Sequence, residues 1–149
     1  PYPHCIAYEN LTASCDGAIY EGGEEYKLHR CCNNKRENDK IIPLFFLPDV
    51  GEIIIYAKDG RLVFADGYKK TIDSLNLECP SLRLIRKVWA RIKKNNIPIV
   101  EIKAAKHDWD KRMDIIVSLS LDGSEENNIK NNLYWNLLLQ FHWFYNYYN

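Results

Sequence analysis

The stretch TIDSLNLECPSLRLIRKVWARIKKNNIPIVEIKAA, Thr71 to Ala105, decides how the chain is read. In its middle, Leu82, Ile85, Trp89 and Ile92 recur at helical spacing, which gathers apolar side chains on one face of an α-helix. Ser81 reads as the N-cap, and Asn95-Asn96 followed by Pro98 ends the run, so a helix is expected over Ser81–Asn96. The flanks read differently. TIDSLNLEC alternates, with Leu75, Leu77 and Cys79 on one face, and IPIVEIKAA is short and β-branched. Both predict strands, and strand–helix–strand at this length is the size of one βαβ unit.

Outward from that unit, EIIIYAKDGRLVFADG, Glu52 to Gly67, places two β-branched and aromatic runs around Asp59-Gly60, the dipeptide of a tight hairpin turn. MDIIVSLSL, Met113 to Leu121, alternates and predicts a further strand with Ile115, Val117, Leu119 and Leu121 inward. After Asp122-Gly123, Ser124 is placed to cap a last helix. KIIPLFFLPDV, Lys40 to Val50, is bracketed by Pro43 and Pro48 and reads as an edge strand or buried extended segment. Shorter strands are expected near Ala18–Tyr20 and Glu24–Cys32. The expected fold is α+β: a mixed, largely antiparallel sheet with two helices packed on it and a disulfide-stapled amino-terminal arm. One domain is expected over residues 1–149, with residues 1–32 as the cysteine-rich arm and 125–149 as an aromatic helix or tail.

The chain has 149 residues, 46% of them hydrophobic, and 20 basic against 20 acidic side chains. Zero net charge removes any global electrostatic case for nucleic acid, so a basic face must be local. No apolar run approaches the ~20 residues that span a bilayer. Of the five cysteines, Cys5, Cys15, Cys31 and Cys32 lie near the amino end and Cys79 stands apart. None forms a CxxC pair and no His pair sits at zinc-ligand spacing nearby, so no structural metal is expected. There is no glycine-rich phosphate loop, and no cofactor is expected. Adjacent cysteines on an extended strand point to opposite faces. Cys31 and Cys32 are therefore expected to bridge to Cys5 and Cys15, with Cys79 either a buried thiol or an intermolecular bridge. Asn10-Leu11-Thr12 is a glycosylation sequon, and the chain starts at Pro1 without Met. Together these features place the chain in an oxidising, secreted setting.

Three surfaces compete for function. Eight aromatic side chains fall between Tyr134 and Tyr148, and Trp135, Phe141, Trp143, Phe144 and Tyr147 are the candidate anchors for a protein partner or a second copy. The helix over Ser81–Asn96 carries Arg83, Arg86, Lys87, Arg91 and Lys94 as a basic face for an acidic ligand. Finally, Glu101-Ile102-Lys103 on an apolar strand resembles the second half of the PD-(D/E)xK nuclease motif. That resemblance implies an upstream acid, with Asp73 the candidate, which holds Mg²⁺ together with Glu101 while Lys103 assists the attacking water. His4, His29, His107 and His142 are scattered and stand beside no nucleophile. The reading that follows is a secreted binding protein of the effector, toxin or immune-modulator kind. A Mg²⁺-dependent nuclease and a basic-helix adaptor are the alternatives.

Overall fold

In a computed structural model, the described residues are Arg30, Cys31, Lys35, residues 39–42, Leu44, Leu47 and residues 49–148. Cys5, Cys15, Cys32, Asn10 and the strands expected at Ala18–Tyr20 and over most of Glu24–Cys32 lie outside them.

One helix organises the rest. Helix α3, Pro80–Lys94, starts with proline at its first turn, where the missing N–H costs nothing. Arg91, Lys93 and Lys94 sit in its last turn, against the negative end of the helix dipole. Cys79, not Ser81, is the N-cap, and it makes no side-chain capping bond. Leu82, Ile85, Trp89 and Ile92 are all buried as their spacing requires, but Leu84, Val88 and Ala90 are buried too. The helix is wrapped on more than one side because other helices, not a broad sheet, surround it.

Those helices occupy the segments expected to be strands. Before α3 come α1 (Val50–Ile53), β1 (Ile54–Tyr56), β2 (Leu62–Phe64), a 3-10 turn (Asp66–Tyr68) and α2 (Lys69–Ser74). After it come α4 (Ile99–Ala104), α5 (Trp109–Ser118), α6 (Gly123–Lys130), α7 (Asn132–Gln140) and a 3-10 segment (His142–Tyr147). TIDSLNLEC is helical through Ser74 and then turns, with Asn76 in the left-handed region. In IPIVEIKAA, Ile102 and Ala105 are fully buried and Val100 is exposed; Ile99, Ile102 and Ala105 follow a three-residue period that the shorter alternation masks. In MDIIVSLSL, Ile115, Ile116 and Leu119 are buried whereas Val117 is 69% exposed. The start of α5 is fixed by Asp108, whose side chain accepts from the Lys111 N–H. Asp122, not Ser124, caps α6, in a reciprocal capping box with Glu125.

The expected hairpin is present. β1 and β2 pair antiparallel with Ile54 opposite Phe64, Ile55 opposite Val63 and Tyr56 opposite Leu62. These two strands are the whole sheet among the described residues, so the broad mixed sheet is replaced by a mostly helical fold with one hairpin. The turn is wider than a two-residue one: the Gly60 N–H donates to the Ala57 carbonyl, and the Ala57 N–H donates to that of Arg61. Gly60 has φ +86°, and a Cβ there would stand 2.0 Å from the Arg83 carbonyl oxygen. Glycine is therefore required twice over, for its conformation and for the approach to α3. Of the segment Lys40–Val50, the described residues Lys40, Ile41, Ile42, Leu44, Leu47 and Asp49 are in no strand, and Val50 opens α1. Leu44 instead joins Leu62 and Ile72 in a small second core.

Candidate functional site

The basic face is mostly consumed inside the fold. Arg86 is 2% exposed, so it belongs to no surface. Its Nε donates to the Gly60 carbonyl at 2.6 Å, one terminal nitrogen to the Leu77 carbonyl at 2.9 Å, and the other to Glu78 Oε1 at 3.0 Å. That same carboxylate oxygen accepts from the Leu62 N–H at 2.7 Å. A buried guanidinium needs its charge and donors matched. Here the match ties the hairpin to the helix, and burial lowers the pKa of Arg86. Lys87 pairs with Glu125 of α6, and Lys93 lies over the Tyr145 ring, 4.5 Å from its centroid. Arg91 is half-buried; only Arg83 and Lys94 of the named cations are exposed.

A cleft of about 410 Å³ opens between the hairpin turn, α3 and α6, lined by Asp59, Glu78, Arg83, Lys87, Glu125 and Tyr134 among others. Its carboxylates are already engaged. Asp59 pairs with Arg61 at 2.6 Å, Glu78 with Arg86 and Glu125 with Lys87. The Asp59 pKa is lowered, chiefly by the Arg61 backbone N–H.

The nuclease constellation is not assembled. Glu101 and Lys103 sit on helix α4, where a two-residue step turns about 200° around the axis instead of keeping one face. Asp73 is exposed and paired with Lys69 on α2. No cluster of three metal-ligating side chains occurs among the described residues.

The aromatic segment divides between core and surface. Trp135 is fully buried and Phe144 is 6% exposed, so neither faces a partner: α7 and the 3-10 segment pack on α3, and these rings fill the interior. The Trp89 indole N–H donates to the Leu138 carbonyl at 3.1 Å, and the Ser81 and Tyr134 hydroxyls meet at 3.1 Å. Trp143 is different at 44% exposed. It stands at the end of a ladder that begins at Tyr56 on β1. The Tyr56 ring meets Phe144 edge-on at 5.1 Å, Phe144 stacks on Phe141 at 5.6 Å, and Phe141 meets Trp143 edge-on at 5.0 Å. Phe141 is half-buried, and the side chain of Tyr147 lies outside the described residues. Tyr148 is 7% exposed, its hydroxyl has no hydrogen-bond partner among the described residues, and burial pushes its pKa up to about 12.

Two features escaped the sequence. Arg112 is 3% exposed, donates to Asn132 Oδ1 at 2.7 Å and to the Lys106 carbonyl at 2.6 Å, and lies over the Trp135 ring at 5.0 Å. It locks the end of α4 to the start of α7. Its position at i−3 and i−4 from Ile115 and Ile116 was the available signal. The second is the meeting of the buried Cys79 side chain with Cys31 in the main core. The bridges expected from Cys31 to Cys5 or Cys15 involve residues outside those described. Among the described residues, no helix is long and apolar enough to cross a membrane. Comparison with protein-family models, with curated proteins and with solved structures finds no match to the chain.

Proposed function

We propose that the chain is a secreted, disulfide-containing protein of the effector, toxin or immune-modulator kind, which acts by protein–protein contact with Trp143 as its anchor. The observation that carries this reading is the braced ladder Tyr56–Phe144–Phe141–Trp143, which holds a large aromatic ring 44% exposed. An indole fixed by its neighbours loses little rotamer freedom on docking, which is why such rings dominate interface energetics. The amino-terminal cysteines and the Asn10 sequon support the secreted setting. The basic-helix alternative loses support because Arg86, Lys87 and Lys93 are engaged within the fold.

A second copy of the chain is the partner to test first, since a neutral protein has no net self-repulsion to oppose association. Sedimentation velocity over a concentration series is the experiment. Association that Trp143→Ala weakens tenfold or more supports the reading. Association that is unchanged by Trp143→Ala, or its absence up to millimolar chain, counts against Trp143 as a self-docking anchor.

A further inference from the structure

Cys31 and Cys79 are distant in sequence and adjacent in space. Each is 1% exposed, and both belong to the main core. The Cys31 side chain lies beside that of Cys79 and is the largest cause of a lowered Cys79 pKa. One residue holds both backbones. The Asn76 side-chain amide donates to the carbonyl of Arg30, next to Cys31, at 2.6 Å, and the Asn76 carbonyl accepts from the Cys79 N–H at 3.0 Å. Asn76 itself has φ +47°, a conformation that asparagine tolerates better than most residues. Cys79 is further fixed as the N-cap of α3, its carbonyl accepting from the Arg83 N–H.

We propose that Cys31 and Cys79 form a structural disulfide that joins the amino-terminal stretch to the start of α3. The oxidant is a small-molecule disulfide such as oxidised glutathione, or the disulfide of an oxidoreductase. One cysteine thiolate attacks a sulfur of the external disulfide, whose S–S bond breaks and releases one thiolate. The other cysteine, its proton given to solvent, attacks the resulting mixed disulfide and expels the second thiolate. Two protein thiols are oxidised, and one external disulfide is reduced to two thiols. At 1% exposure neither sulfur is reachable in the closed core, so the exchange takes place while the chain folds, and closure then shields the bond. This pairing replaces the expected bridges from Cys31 to Cys5 or Cys15. It shares an oxidising setting with the binding reading but requires no partner, so its test runs on the isolated chain.

The full chain is refolded in a glutathione redox buffer, acid-quenched, alkylated in denaturant and digested without reduction. The expected product is a peptide pair joining Cys31 to Cys79, about 2 Da lighter than its two reduced halves and separated by reductant. Because Cys32 shares the peptide with Cys31, the map is repeated on Cys32→Ser, where the same pair persists. Recovery of alkylated Cys79, or of Cys79 linked to Cys5, Cys15 or Cys32, overturns the proposal. Reduction is also expected to lower the Tm of the oxidised chain by roughly 10 °C. In Cys79→Ser that drop shrinks, and an undiminished drop contradicts the bridge. Should that variant not fold, the wild-type map decides.

Discussion

Helix α3 and the aromatic carboxyl-terminal segment were the two surfaces that the sequence offered to partners, and the fold treats them in opposite ways. The cations of α3 are drawn inward or sideways: Arg86 into the hairpin, Lys87 onto Glu125, Lys93 onto Tyr145. Trp135, Phe144 and Tyr148 of the aromatic segment are in the core, whereas Trp143 stays outside. Charge on a helix is therefore no measure of its free surface, because a long basic side chain can reach carbonyls and carboxylates that are far away in sequence. Aromatic content is no measure of a docking face either. Trp135 sits on α7 inside the core, and Trp143, on the 3-10 segment that follows, stays exposed.

The comparison breaks most visibly in stability. Phe144→Ala is expected to cost about 3–5 kcal/mol, as for other buried aromatics, whereas Trp143→Ala costs less than about 1 kcal/mol; urea denaturation that finds equal losses would erase the division between core and surface. Arg86→Met is expected to lose about 3 kcal/mol, because Glu78 and the Gly60 and Leu77 carbonyls lose their donors. Lys94→Met, at an exposed position, serves as the control and changes stability by under about 0.5 kcal/mol.

Smaller effects sharpen the same contrast. Burial raises the folded-state pKa of Tyr148 to about 12 from the ordinary tyrosine value of 10.0. The stability that its neutral form contributes is thus complete below pH 10 and lost as pH rises from 10 towards 12. Denaturation midpoints taken across that window should fall further for wild type than for Tyr148→Phe; identical slopes would place the hydroxyl in water. The half-buried Lys87–Glu125 pair is expected to yield a coupling of roughly 0.5–1 kcal/mol in a double-mutant cycle, reduced by added salt. No measurable coupling would return Lys87 to the free basic face.

Much of this was legible in the sequence, and the exceptions have physical reasons. The α3 spacing and the Asp59-Gly60 hairpin were readable because each is a local pattern with its own terminator. IPIVEIKAA and MDIIVSLSL misled because short apolar runs satisfy both periods, and tertiary packing chose the helical one. In hindsight the Asp108 cap was the local cue for α5. The inward turn of Arg86 could not be read, since it depends on Gly60 and Leu77 carbonyls brought close only by the fold. The meeting of Cys31 with Cys79 was hidden likewise, because clustering near the amino end favoured local pairings.

The most direct test follows Trp143 itself. In a Trp109→Phe chain, Trp89 and Trp135 are fully buried and Trp143 is the remaining exposed indole, so acrylamide quenching reports on it alone. Accessible emission at low concentration that becomes protected as the chain associates is the predicted result. Quenching that persists unchanged in the associated state would contradict Trp143 as the docking residue.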